Sequence, residues 1–362
     1  MNIIYTTKIY LPHIGGVEIY IKKLADYFSA KGHSITVITA GEEISHLQTE
    51  YDGNIKILRI PAKSISGIYF LKHLKDLQII KQELASANIV HINDCKFLFS
   101  FFVRQKNRFH YKLFCSSHGW LFHTKNHSLL KKIYFKQIVV KNAYNFDHII
   151  CVSEQDKNIA IHYGIKDTCV ITPGADCNKY ANLPKKTTFE NTFFYWGRIS
   201  QNTGILEALK KLSTLTNPYN FIIAGKCEDS DYMKQLQDFI ENHKMTEKIH
   251  FVGLLSDVQI RDYIQNSDFI LMPSLHEGFG MTLVECLLSE RAIIANTNES
   301  FCTILNQTDA KGFLFNFEDE SSDFAMKLQE LKCKKVVPKH VEQFSVETVL
   351  KKIEKLYNQE KI

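Results

Sequence analysis

The chain has 362 residues, 45% of them hydrophobic, and a formal net charge of +5. That length and composition supply apolar mass for two domains with cores of their own; no run of 18 apolar residues offers a membrane-spanning helix, and the N-terminus MNIIYTTKIYLPHIGG lacks the basic and apolar blocks of a secretion signal. The charge is uneven: residues 1–150 carry 20 Lys/Arg against 10 Asp/Glu, and residues 151–362 carry 24 against 29, so the halves are expected to face different partners.

Strand-like apolar runs alternate with helical patterns along the whole chain. MNIIYTT reads as a strand. Val17 to Lys31 reads as a helix with Ile19, Leu24, Tyr27 and Phe28 on one side. HSITVITA and IKILRIP are further strands, helical LKDLQIIKQELASA leads into IVHIND, and FCSSHG, HIICVSE and TCVITPG follow. The rhythm restarts after residue 190 with TFFYWGR, ILEALKKLSTL, FIIAGK, YMKQLQDFIENH, IHFVG, VQIRDYIQNS, FILMPS, TLVECLLSE and AIIANT. Such alternation predicts an α/β protein of two doubly wound, Rossmann-like domains with parallel sheets. The expected divisions are 1–172, a polar linker 173–191, a second domain 192–343, and a C-terminal helix 344–362 that returns to the first domain. Nine cysteines, odd in number and without a C-x-x-C pair, read as reduced thiols of a cytoplasmic protein.

Ligands of doubly wound domains bind at the carboxyl ends of the strands, here expected in a cleft between the domains. Gly15-Gly16 follows the first strand and opens a helix, where bare backbone N–H groups can approach an anionic ligand. No G-x-G-x-x-G follows, and no acid ends the second strand, so a nicotinamide dinucleotide is disfavoured. HEGFGMTLVEC, residues 276–286, follows the strand FILMPS and opens a helix at about Gly280. Its two acids, Glu277 and Glu285, stand at either end of a glycine-rich turn. One carboxylate can accept from sugar hydroxyls and the other from ribose hydroxyls, with the helix N-terminus taking phosphate between them. The plain alternative is that both acids only complement the helix dipole.

HEGFGMTLVEC resembles the E-x7-E signature of retaining GT-B glycosyltransferases, family 4 in particular. PHIGGVEIYIKKLADYFSAKGHSITVIT, SSHG, VSE with ITPGAD, YWGRIS and HFVGLLSDVQIRDYIQNSDFILMPS stand in that family's order and span nearly the whole chain. The resemblance implies that Gly15 and Gly16 lie beside the donor diphosphate and that His118 faces the transferred sugar. It implies that Arg198 binds the diphosphate as a planar guanidinium. It further implies that Glu277 holds the sugar hydroxyls, that Gly278, Phe279, Gly280, Met281 and Thr282 line the turn with backbone donors, that Glu285 takes the ribose, and that backbone at Val252 and Gly253 meets the base. His118, Glu277 and Arg198 are then the catalytic residues.

The family's Lys-Gly after the arginine is Thr203-Gly204 here, which removes a cation, and Lys226 is the candidate replacement. The usual Asn-Gly before the linker is Pro173-Gly174. Asp229 and Asp231 read as N-cap and first-turn residues of YMKQLQDFIENH rather than a metal site. Neither metal nor cofactor is expected. Residues 96–146 carry ten Lys/Arg, thirteen aromatics and no acid, and HSLLKKIYFKQIVVKNAY reads as an amphipathic helix with Lys131, Lys132, Lys136 and Lys141. This suits either an anionic membrane surface, which the resemblance to enzymes of lipid-linked acceptors favours, or a plain solvated face above an ordinary core; no recognition motif supports nucleic acid.

The expectation is a retaining, metal-independent hexosyltransferase of surface polysaccharide or lipopolysaccharide synthesis. It would use a UDP- or GDP-linked donor and a saccharide or lipid-linked acceptor, peripheral on the cytoplasmic membrane face. The alternatives are a noncatalytic subunit of the same fold, suggested by the missing lysine, and a sugar-nucleotide epimerase or hydrolase.

Overall fold

A computed structural model describes residues 1–13, 15–120, 128–184, 186 and 188–360, and the elements below are those of these residues. The chain forms two compact units, Met1–Gly174 with Val346–Ile362, and Ala175–Ser345. No helix among the described residues is long and apolar enough to cross a membrane, and all nine cysteines are free thiols.

The first unit is built on β1 (Asn2–Thr7), β2 (Ser34–Gly41), β3 (Gln48–Asp52), β4 (Ile55–Ile65), β5 (Ile68–Leu71), β6 (Ile89–Ile92), β7 (Lys112–Ser116), β8 (His148–Cys151) and β9 (Thr168–Val170). The sheet order is β3-β4-β2-β1-β6-β7-β8-β9, with β5 paired to β4. β3 and β5 pair antiparallel with β4, and the other pairs are parallel. All four residues of β6 are buried, as both-faced coverage of a parallel sheet demands. One face packs Tyr20, Leu24 and Phe28 of helix Gly16–Ala30 together with Val349, Ile353 and Tyr357 of the C-terminal helix Val346–Tyr357. The other face packs Phe97, Phe99, Phe102 and Phe135. The polar sequence QTEYD concealed β3, an edge strand with two of its five residues half-buried.

The second unit carries β10 (Thr192–Trp196), β11 (Asn220–Ala224), β12 (Ile249–Gly253), β13 (Phe269–Met272) and β14 (Ala292–Ala295). They form a five-stranded sheet in the order β12-β11-β10-β13-β14, parallel throughout. Residues 175–191, expected as part of a linker, belong to this unit. Arginines tie them down: Arg261 donates to the carbonyls of Lys179 and Ala181 at 2.9 and 3.1 Å, and the buried Arg291 donates to that of Pro184 at 2.7 Å. Asp229 caps helix Ser230–Asn242 by accepting from the Asp231 and Tyr232 N–H groups, as the sequence indicated. The basic amphipathic segment departs from expectation. It is an α-helix only over Ser128–Tyr134 and continues as a π-turn over Phe135–Val140, which rotates the following residues out of the straight-helix register.

The C-terminal helix is locked into the first unit by a buried polar pair. His91 Nδ1 meets the Tyr357 hydroxyl at 2.6 Å, and its Nε2 meets Ser116 Oγ at 2.8 Å. The Tyr357 ring also packs on Phe28 and Phe114, with centroids 5.0 and 4.9 Å apart. Burial first, and then the neighbouring His118, push the His91 imidazole down from 6.5 to about 3. The unfolded chain therefore takes up this proton first. The group costs nothing above about pH 6.5 and removes about 1.4 kcal/mol of stability per pH unit as pH falls toward 3. The acid-side slope of unfolding free energy in denaturant titrations should thus be shallower in His91→Gln than in the wild type, and an equal slope would refute the assignment. Tyr357→Phe should lose about 1–3 kcal/mol by leaving a buried ring nitrogen unpaired.

Candidate functional site

In the first unit Gly15 is the extended N-cap of helix Gly16–Ala30 and has no side-chain cap of its own to offer. A Cβ there would stand 2.4 Å from Glu18 Oε2, so the absent side chain lets the carboxylate close over the turn. Glu18 is buried in the first helical turn and was not singled out from sequence, although its place two residues after the glycine pair was visible. His118 follows β7, half-buried, with a left-handed φ of 40°. Its ring meets Tyr20 edge-on at 4.9 Å between centroids, and its Nε2 lies 3.4 Å from Asn93 Oδ1. β1 and β6 adjoin where the strand order reverses. The loops after them carry the glycine pair and Asn93, at the position where doubly wound sheets take ligands.

In the second unit the reversal lies between β10 and β13. The loop after β10 carries Arg198, and the loop after β13 carries Glu277. The two loops are bonded together: Leu275 N–H and His276 N–H donate to the Asn202 carbonyl at 2.9 and 3.4 Å. A Cβ on Gly204 (φ 66°) would fall 2.0 Å from the Pro273 carbonyl oxygen, so only glycine lets the loops come this close. Arg198 is exposed, and among the described residues its guanidinium has no hydrogen-bond partner. Glu277 is half-buried. Burial pushes its carboxyl above the ordinary carboxylate range, against the Gly278 N–H, the Ser274 hydroxyl and the Arg198 charge, which pull it down. The Glu277 loop is braced from the β14 side. Asn296 and Asn298 both donate to the Ser274 carbonyl, at 3.2 and 2.8 Å, and Ser300 Oγ donates to that of Glu277 at 2.8 Å.

Gly278 is half-buried and Phe279 buried. Gly280, at φ 96°, is the N-cap of helix Met281–Cys286, and a Cβ there would strike the Phe301 ring at 2.8 Å. The first helical bond runs from Val284 N–H to the Gly280 carbonyl, so the N–H groups of Met281 and Thr282 have no acceptor within the helix. Glu285 lies one turn on and is 3.9 Å from Lys179 Nζ, which also meets Asp257 at 2.9 Å. Burial opposes the Lys179 charge, but Asp257 and Glu285 outweigh it and hold the ammonium above its ordinary value. Lys179 was missed because it sits in the stretch read as linker. Val252 is half-buried at the end of β12, and Gly253 turns at φ 74°.

Lys226, the candidate replacement for the family's lysine, stands exposed, 3.5 Å from Glu228 in a pair open to solvent. Thr203, in place of the expected lysine, serves the backbone: its hydroxyl donates to the Ser200 carbonyl at 2.7 Å and accepts from Ser200 N–H at 3.1 Å, closing a capping box that shapes the Arg198 loop. Lys132, Lys136 and Lys141 are exposed and Lys131 is partly covered, with exposed Leu129 and Ile133 on the same short helix. No cluster of metal-ligating side chains occurs among the described residues.

The comparisons with known proteins divide as the chain does. Residues 14–179 match glycosyltransferase family 4, and residues 178–347 match glycosyl transferases group 1. A GDP-mannose:cellobiosyl-diphosphopolyprenol alpha-mannosyltransferase of Xanthomonas oryzae is 25% identical over 79% of this chain and 76% of its own. An O-antigen chain mannosyltransferase of Salmonella typhimurium is 25% identical over 54% of each chain. The HepE protein of Anabaena, solved with UDP, superposes with a TM-score of 0.78 at 16% identity, covering 99% of this chain and all of that one.

The glycine contacts make a direct prediction. Gly225 has φ 146°, and a Cβ on it would lie 1.8 Å from the Gly197 carbonyl oxygen. Gly225→Ala should therefore destabilise the second unit by about 2 kcal/mol or more, read as a lowered midpoint in denaturant unfolding, because backbone rather than a flexible side chain must move.

Proposed function

Since the chain belongs to glycosyltransferase family 4, with the GT-B pair of Rossmann-like domains, we propose that it transfers a hexose from a nucleotide diphosphate sugar to a lipid-linked saccharide, with retention and without a metal. The observation that carries this reading is the pairing of Arg198 and Glu277 on bonded loops at the strand-order reversal of the second unit, with Glu285 a helical turn beyond. Arg198 offers a fork of donors to a diphosphate, and the Met281 and Thr282 N–H groups offer two more. Glu277 accepts from sugar hydroxyls, and Glu285, oriented by Lys179, accepts from ribose. Gly15, Gly16 and His118, in the first unit, keep the roles that the family resemblance implies for them. As the sugar–phosphate bond breaks, negative charge grows on the leaving phosphate, where Arg198 and the backbone dipoles stabilise it, and the phosphate takes the acceptor proton. Orientation and charge stabilisation supply the rate rather than a strong base.

The Xanthomonas relative, named for GDP-mannose and a diphosphopolyprenol-linked acceptor, favours that donor and acceptor class, and the O-antigen relative favours a mannosyl donor, while UDP-sugars remain the second donor class tested. A lipid-linked acceptor fits an enzyme peripheral on the cytoplasmic membrane face, held by Lys131, Lys132, Lys136 and Lys141. The noncatalytic-subunit reading is weakened by Thr203, whose capping role gives it a purpose other than as a lost catalytic cation.

Calorimetric titration with GDP and with UDP tests the assignment. Micromolar binding of one is expected, weakened about 10–100-fold in Arg198→Ala and in Glu285→Ala. No binding of either nucleotide would return the weight to a noncatalytic subunit. On the membrane side, sedimentation with anionic vesicles should fall about fivefold for each of Lys132→Gln, Lys136→Gln and Lys141→Gln and should weaken with salt; salt-independent binding would exclude the electrostatic account.

A further inference from the structure

His118 sits in unusual backbone. It, Gly119 and Trp120 have successive φ values of 40°, 79° and 53°, and Trp120 N–H returns to the Ser117 carbonyl at 2.8 Å. Left-handed backbone at a residue with a Cβ is unfavourable and persists only where the surroundings impose it. Here one buried carboxylate imposes it. Asp156 Oδ2 accepts from Ser117 Oγ and from Gly119 N–H, the latter at 2.7 Å, so a single oxygen grips the residues on both sides of His118. The main-chain carbonyl of Asp156 accepts from Trp120 Nε1 at 3.0 Å, a third grip on the same turn.

Asp156 is itself placed by rigid structure. It lies in the first turn of helix Glu154–His162, whose N-cap Ser153 Oγ accepts from Asp156 N–H at 3.2 Å. Ser117 is anchored to the next strand: its N–H donates to the Ile150 carbonyl at 2.9 Å, and its Oγ accepts from Val152 N–H at 3.1 Å. The turn so held sets the imidazole beside Asn93, with Nε2 3.4 Å from Oδ1. The Asn93 side chain is oriented by its Nδ2, which donates to the His91 carbonyl at 3.1 Å, so its Oδ1 faces His118 Nε2. An amide oxygen can only accept, so Nε2 carries the proton in this contact, and whenever the ring is neutral its lone pair is on Nδ1.

We propose that Asp156 is a positioning residue for His118, acting through the Ser117–Trp120 turn to hold the imidazole in one orientation and in the Nε2–H tautomer. The proposal rests on the reading of His118 as part of the transferase site, but its first test does not. Ring 15N spectra of His118 are recorded for the wild type, Asp156→Asn and Asp156→Ala, alongside hydrolysis of GDP-mannose or UDP-glucose, whichever nucleotide calorimetry selects. The wild type should show the Nε2–H tautomer alone. Asp156→Asn can turn its one oxygen to both donors, so it should keep that spectrum and keep kcat within about threefold, whereas Asp156→Ala should show mixed tautomers and a kcat lower by about 30–100-fold with the donor KM within about twofold.

A single Nε2–H tautomer and wild-type kcat in folded Asp156→Ala would overturn the proposal. So would a loss of activity that vanishes when kcat is divided by the sites counted in nucleotide titration, because that marks a role in stability alone. Should Asp156→Ala fail to fold, Ser117→Ala removes one of the two donors and is read by the same spectrum, with a lone Nε2–H tautomer again counting against the clamp. Full turnover in His118→Ala would instead sink the role of His118 in transfer, while the ring spectra still decide whether Asp156 positions it.

Discussion

The second unit depends on how closely three neighbouring strand ends approach. Gly197 N–H donates to the Ala224 carbonyl, Gly225 N–H donates to the Gly253 carbonyl, and Ile199 N–H donates to that of Lys226. The parallel ladder thus continues past the strands and into the loops. A methyl group on Gly225 would overlap a carbonyl oxygen, so the absence of side chains is what allows backbone to reach backbone there. Gly204 repeats the arrangement against Pro273 on the other side of β10. Arg198 and Glu277 stand on loops whose paths are fixed by main-chain bonds and by the side chains of Thr203, Asn296, Asn298 and Ser300, and rigid support of this kind is what a preorganised site requires.

The first unit reaches a similar end by different means. Its site loop is held by buried polar side chains: His91, Ser116 and Asn93 on and beside adjacent strands, and Asp156 at the head of a helix. Each has hydrogen-bond partners, which is the condition under which polar groups stabilise an interior instead of weakening it. Close backbone approaches at glycine thus weigh more in the second unit, and buried polar side chains weigh more in the first.

The fold was legible because parallel strands buried on both faces write near-continuous apolar runs, and β1, β2, β6, β10 and β13 are all such runs. β3 and β5 were not legible: they are short, antiparallel to β4 and partly exposed, and QTEYD has the polarity of a loop. The π-turn at Phe135–Val140 leaves no mark in hydrophobic spacing that a straight helix would not. Among the candidate residues, Glu277 and Glu285 stood out through their spacing about a glycine-rich turn, and Arg198 and His118 only through the family resemblance. Asp156 and Lys179 did not, since each is distant in sequence from the residue it serves and only folding brings them near. Thr203 was legible as a departure, but its capping bonds could be read only once Ser200 was seen in extended backbone before a 3₁₀ turn.

The chain leaves the first unit at Gly174 and re-enters it at Val346. Ala175 and Ser345 pair as a bridge within the second unit, and in the first, Val346 lies against Gly174. The second unit is thus an insertion, in chain terms, between the body of the first and its final helix. On the ribosome, the groove that receives Val349, Ile353 and Tyr357 is complete long before those residues are made. For the whole synthesis of the second unit, His91 lacks its tyrosine partner and the apolar face beside Phe28 lacks its cover. The first unit is thus begun first and finished last, closed only when the C-terminal helix has been made.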